Sequence, residues 1–268
     1  MASRRLLIIL LVGIAVVVAA AFVLAVTGPD NTPNPPQPSG SPLGPTSPKQ
    51  AAPAPSGASR PPTIDMFGNR LEVPDRDEGI ALEQDPTTRP DPGRLDYLTA
   101  PPARMQWQRG WGGAALPFSG SDGPTGITAG VAFGFANTPQ GAGLAAYDAL
   151  ARALAAPDGV WQQVVTERFF GGGRALIDRF ARSRTNTPDV AGYVVVPEGF
   201  RILSGYRPDF AVVQVAVKAI GGSAYSTWPM TWTDGDWRVR VPDDIETLWA
   251  PGVPTASLAD FGFWKAMR

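Results

Sequence analysis

The apolar pattern changes character along the chain. Leu6–Val26 is an unbroken apolar run of 21 residues with no charge and one glycine. At about 1.5 Å rise per residue a helix of that length spans roughly 31 Å, the thickness of a bilayer's hydrocarbon core. A helix satisfies its own backbone hydrogen bonds and can therefore cross lipid. Arg4 and Arg5 precede the run, and no Lys or Arg follows until Lys49. That asymmetry predicts Met1–Arg5 in the cytoplasm, a single-pass span at 6–26 and everything after Val26 outside the cell membrane. The competing reading is a cleaved signal peptide, whose apolar region is usually about 7–15 residues long. Both readings make the remainder extracytoplasmic.

Thr27–Pro62 reverses the pattern, with twelve prolines among Gly, Ser, Thr and Asn. Such a stretch buries too little to fold and favours polyproline II, which predicts a disordered spacer of about 3.1 Å per residue. Thr63–Arg104 reads as an irregular arm on the domain. It has a strand-turn-strand look around Gly68-Asn69 and apolar anchors at Leu95, Tyr97 and Leu98. The extracytoplasmic domain proper is placed at 105–268. It opens with short strands at Met105–Arg109, Ala114–Ser119 and Gly130–Ala136, the last alternating Val131, Phe133 and Phe135 against small residues. Ser119–Gly126 (SGSDGPTG) reads as a surface turn. It resembles a phosphate-cradling loop only superficially, because it lacks the Gly-Lys-Ser/Thr ending.

A helical period follows. Thr138 is placed to cap a helix with Pro139 at its first position, and Leu144, Tyr147, Leu150, Ala151 and Leu154 form its stripe. Asp158 is placed to cap a second helix carrying Trp161, Val164, Val165 and Phe169. Gly171-Gly172-Gly173 breaks it, and Arg174–Arg182 forms a third. The period then shortens to two. Gly192–Val196 and Phe200–Tyr206 read as strands, and Phe210–Ile220 as the best strand in the chain. In TWPMTWTDGDWRVRV (Thr227–Val241), Asp234-Gly235 supplies a two-residue hairpin turn. Pairing about it sets Trp232 opposite Trp237, Met230 opposite Val239 and Trp228 opposite Val241 on one face. The other face holds Thr231, Thr233, Arg238 and Arg240, a candidate docking surface or a merely solvated one. Pro229 predicts a bulge or an edge. Trp249, Phe261, Phe263 and Trp264 are expected to pack on the sheet rim.

Composition narrows the chemistry. The chain has 268 residues, a formal net charge of −1, no cysteine and no histidine. Disulfides, Ser-His or Cys-His nucleophiles and His/Cys zinc sites are thereby excluded. Near-neutrality offers no global field for direct nucleic-acid binding. Twenty of the 23 basic residues are Arg; with abundant Ala, Gly and Pro this fits a GC-rich bacterial coding sequence.

The order of elements predicts an α+β domain of about three helices packed on a curved antiparallel sheet. That order, with the Trp-rich close of the hairpin, resembles the cone-shaped nuclear transport factor 2-like fold. Single-span proteins with such a domain outside serve as assembly factors in type IV secretion and Gram-positive conjugation. Trp107–Pro124 (WQRGWGGAALPFSGSDGP), Gly134–Leu154 and Trp232–Pro242 resemble a family of anchored proteins encoded among transfer genes of mobile elements in high-GC Gram-positive bacteria. The resemblance runs from about Pro90 onward and carries no catalytic motif. It implies a non-enzymatic scaffold that uses no cofactor. Such a scaffold would dock with other envelope proteins of a transfer machine, with self-association left open.

Two other classes remain. A cone fold can enclose an apolar pocket, making a ligand-binding or sensory module. For an enzyme, only carboxylates, Ser, Tyr, Lys and Arg are left. Asp234 with Asp236, or Asp243, Asp244 and Glu246, could then pair as in glycosidases. The plainer reading makes Asp234 a hairpin-turn residue and Asp243-Asp244 a cap or loop.

Overall fold

The computed structural model describes residues 60–219 and 221–265. The expected span at Leu6–Val26 and all but the end of the expected linker lie outside them. Among the described residues no helix is long and apolar enough to cross a membrane.

The described chain opens with a hairpin, β1 (Arg60–Ile64) and β2 (Arg70–Val73). The strand thus begins inside the stretch expected to be linker. Next come β3 (Gln106–Arg109), β4 (Ala115–Phe118) and a small hairpin of β5 (Gly126–Thr128) and β6 (Val131–Phe133). Strands β1 to β4 form one sheet in that order, with β2 and β3 parallel at Glu72 and Gln108. The arm and the domain are therefore continuous structure across residue 104. Of the arm's expected apolar anchors, Tyr97 and Leu98 are half-buried but Leu95 is fully exposed.

Three helices follow: α1 (Pro139–Ala155), α2 (Val160–Arg168) and, after the two-residue strand β7 (Phe169–Phe170), α3 (Gly173–Asn186). Thr138 caps α1 as expected: its hydroxyl accepts from Gly141 N at 2.9 Å, and Pro139 stands at the first position. Gly159, not Asp158, caps α2. It takes φ +86°, a conformation open to glycine, while Asp158 accepts from the Trp161 indole at 3.0 Å. Helix α3 runs four residues beyond the expected Arg182.

The larger sheet is completed by β8 (Gly199–Ile202), β9 (Phe210–Ala219), β10 (Gly222–Thr233), β11 (Asp236–Arg240) and β12 (Val253–Thr255). Its order is β7-β11-β10-β9-β8, antiparallel except for β7, with β12 also on β10. The Asp-Gly turn fixes two of the three expected pairs, Trp232 with Trp237 and Met230 with Val239, and the ladder stops short of Trp228 and Val241. Pro229 makes no bulge, since it sits in continuous register opposite Val212. On the opposite edge of β10, β12 pairs only through Tyr225 and β11 only from Met230, so Pro229 falls in the gap between them. A missing N–H is tolerated there.

The strand expected at Gly192–Val196 is absent, and the one expected at Gly130–Ala136 is shortened to β6. Val190–Gly192 forms a single 3-10 turn and the chain is irregular to Val196. Strand β6 ends at Phe133, which is exposed, because Gly134 takes φ +74° and turns Phe135 into the core.

Helix α1 packs against β4 of the first sheet, against β8 to β11 of the second, and against α2 and α3. A single apolar stripe was expected, yet nearly the whole helix is buried. Its Ala and Gly content allows that, because small side chains let sheets approach on both sides. A Cβ on Gly143 would lie 2.5 Å from the Trp264 ring. Trp264 stacks on Phe200 at 4.3 Å, its indole donates to Thr99 O at 2.9 Å, and its carbonyl accepts from the Trp107 indole at 2.7 Å. Trp264 is thus a core residue and not part of a rim, whereas its neighbour Phe263 is exposed.

Trp264→Ala is expected to cost about 3–5 kcal/mol, lowering Tm by roughly 6–20 °C. Trp232 is only half-buried against Trp237, so Trp232→Ala should cost less. Thermal unfolding of the two variants checks the ranking.

Candidate functional site

Thr231 and Arg238 are direct cross-strand partners, and Thr233 faces Asp236 across the turn. The structure brings these together on the face of the larger sheet opposite α1. Arg238 Nη2 lies 3.0 Å from Asp234 Oδ2. Arg240 is exposed, at the level where β11 meets Phe170, and has no ion-pair partner among the described residues. Phe261 covers the other end of this face, against Tyr225 and Arg201. The end bearing Thr227, Thr231, Arg238 and Arg240 is left partly or fully exposed.

Of the candidate carboxylates, all but Asp243 are engaged by other groups. Asp234 holds Arg238. Asp244 caps a 3-10 turn by accepting from Glu246 N at 3.1 Å, and Glu246 receives Arg179 Nε at 2.9 and 3.0 Å. Asp243 stands exposed beside them. Asp236 is different from a turn residue: it is buried, and it accepts from Arg168 Nη1 at 2.7 Å, Gly134 N at 2.9 Å and Trp237 N at 2.8 Å. Arg168 also donates to Trp237 O at 2.7 Å and lies over the Phe135 ring.

A second buried pair sits on α1. Asp148 and Arg152 are fully buried and 2.7 Å apart. Arg152 Nη1 donates to the carbonyls of Glu78 and Gly130 at 2.9 and 3.0 Å. Burial raises the Asp148 pKa above the usual carboxylate range, against the pull of Arg152. The i, i+4 spacing was visible in the sequence, but not that the pair has no solvent face.

The stretch expected to be a surface turn, Ser119–Gly126, is mostly interior. Ser119, Ser121 and Asp122 are fully buried. Asp122 accepts from Ser121 Oγ at 2.5 Å and from Thr138 Oγ1 at 2.6 Å, with Arg89 Nε 3.7 Å away. This network ties the helix cap to the first sheet. Its polar composition read as solvent exposure because the partners lie far away in sequence.

The space between α1 and the sheets is filled by Trp107, Tyr147, Phe200 and Trp264 in mutual aromatic contact. The Tyr147 hydroxyl donates to Val195 O, and burial pushes its pKa far up. Two concavities are surface grooves. One of about 410 Å³ lies beside the β1–β2 turn, and one of about 470 Å³ lies between α2 and the triple glycine. Among the described residues no group of His, Cys, Asp and Glu is arranged to hold a metal ion.

These features define an α+β domain built around one buried helix, with its charged core residues committed to structure. Residues 72–263 match the family described as Domain of unknown function (DUF8175), and the chain belongs to that family. No curated protein and no solved structure matches it.

Asp236→Ala should cost about 3–5 kcal/mol, because it strands the buried Arg168. Asp234→Ala, at an exposed pair, should cost about 0–1 kcal/mol. Urea unfolding followed by tryptophan fluorescence separates the two.

Proposed function

We propose that this protein is a non-catalytic docking subunit. Its domain is held outside the cell membrane by the span at Leu6–Val26, and it serves in assembly of an envelope-spanning conjugative DNA-transfer machine. The observation that carries the reading is the asymmetry of the larger sheet. Helix α1 buries Val213, Met230, Trp237 and Val239 on one face, while Thr227 and Arg240 remain exposed on the other. An antiparallel sheet open on one side is stable as it stands, and its polar face is free to meet a partner. The resemblance to transfer-gene proteins supplies the machine. The sequence of three helices followed by β8 to β11 accords with the nuclear transport factor 2-like likeness, the first sheet being an addition to it. A ligand-binding module would use the space that the four aromatic rings occupy.

The test is made in donor cells with the full chain. A photo-crosslinking residue at position 240 should form an adduct with another envelope subunit of the machine. The Arg238→Ser, Arg240→Ser double variant should lose that contact and transfer DNA poorly, with Tm lowered by less than about 4 °C. Undiminished transfer with no adduct would overturn the proposal.

A further inference from the structure

The turn between β1 and β2 is built to present apolar side chains. Asp65 is buried, and its carboxylate accepts from Phe67 N at 2.9 Å, Asn69 N at 2.8 Å and, across the molecule, Val196 N at 3.0 Å. With Asp65 turned inward, Ile64, Met66 and Phe67 are thrown outward, at 66%, 46% and 38% exposure. Lys218 lies over the Phe67 ring at 5.3 Å. The backbone of the turn is therefore pinned before it meets anything, and a pre-organised contact loses less entropy on binding. Large apolar groups held in water on a pinned turn mark an interaction surface.

The groove of about 410 Å³ lies directly beside this knob, and Ile64 and Met66 form one of its walls. Gly112, Gly113 and Ala191 contribute to the remainder, so the far side is lined by small groups. Arg109 and Asp189 stand on the same groove. Both are exposed, and neither is in an ion pair among the described residues.

We propose that the occupant of this groove is the knob of a second copy of the chain, in a two-fold symmetric pair. The surface is self-complementary in shape, with a projection next to a hollow. It is also self-complementary in charge, since a two-fold axis can bring Arg109 of each copy to Asp189 of the other. An isologous interface requires that both halves of each contact lie on one patch, and this patch carries both. Such a contact is small beside the roughly 1,200–2,000 Å² of stable complexes. It suits copies concentrated by a shared membrane, where tethering raises the effective concentration. The inference rests on the docking reading only in placing the domain on a membrane tether; it uses a different surface from the hairpin face.

The chain has no cysteine, so disulfide mapping starts from a clean background. Full-length Met66→Cys and Ala191→Cys chains, differently tagged, are co-expressed and oxidised in their membranes. The expected product is a mixed dimer joined between positions 66 and 191. Its yield should exceed by about tenfold that of a control pairing Met66→Cys with Leu95→Cys; Leu95 is fully exposed and lies off the groove. Adding Arg109→Asp to one chain should reduce the yield, and Asp189→Arg in the other should restore it. A 66–191 yield no greater than the control overturns the proposal, as does Met66→Cys joined instead to a different protein. If the mixed dimer is absent while the position-240 adduct persists, only the pairing fails. If the dimer forms without that adduct, only the hairpin docking reading fails.

Discussion

Helix α1 has almost no solvent side, and the rest of the structure follows from that constraint. A helix between two sheets must be narrow, so its sequence is rich in Ala and Gly and gives up much of its own apolar area. Apart from its own Tyr147, the large aromatic side chains come from outside it: Trp107, Phe200 and Trp264 are supplied by β3, β8 and the C-terminal segment. The close packing of Trp264 on Gly143 explains why that segment must be threaded through the core. The cost of burying Asp148 and Arg152 on the same helix is offset only because they pair and because Arg152 reaches two carbonyls. Breaking such a buried pair is worse than never having it.

Local interactions made much of the fold readable. The Thr138-Pro139 start of α1 and the Asp234-Gly235 turn rest on chemistry within a few residues, and both stand as expected. The register of the hairpin followed from the turn, which put Trp237 inside and Arg238 on the opposite face without reference to the rest of the chain. Where the deciding contact was distant, polarity misled. The Ser119–Gly126 turn is polar because its groups bind one another, Thr138 and Ala103 O, not because it meets water. In the sequence Asp236 reads only as a carboxylate partner of Asp234, and the approach of Arg168 from 68 residues away is what makes it a core ion pair. Phe133 looked buried by alternation, but the positive φ of Gly134 ends the alternation before it counts. The candidate hairpin surface was legible because it needs only register. The β1–β2 knob was not, since the sequence gives no sign that Asp65 turns inward.

How this domain can meet other proteins is constrained by its sheet edges. A bare edge invites strand addition. Here β1 carries Pro61 and Pro62, and β12 is three residues long with Pro254 at its centre. The outer edge of β8 is taken by Gly262 and by Leu98 O, and Ala115 N at the start of β4 donates to Val194 O. Strand β7 has two residues before the glycines turn the chain away. Proline offers no N–H, and a short or covered edge offers no ladder, so main-chain pairing would give a partner little affinity. Recognition then falls more readily to side chains on faces and turns, and the polar face of β10 and β11 and the knob of Ile64, Met66 and Phe67 are two such exposed surfaces. On the proposed tether, copies of the chain would gain from this arrangement. Open edges on crowded neighbours would propagate without limit, whereas a self-complementary patch closes after two copies.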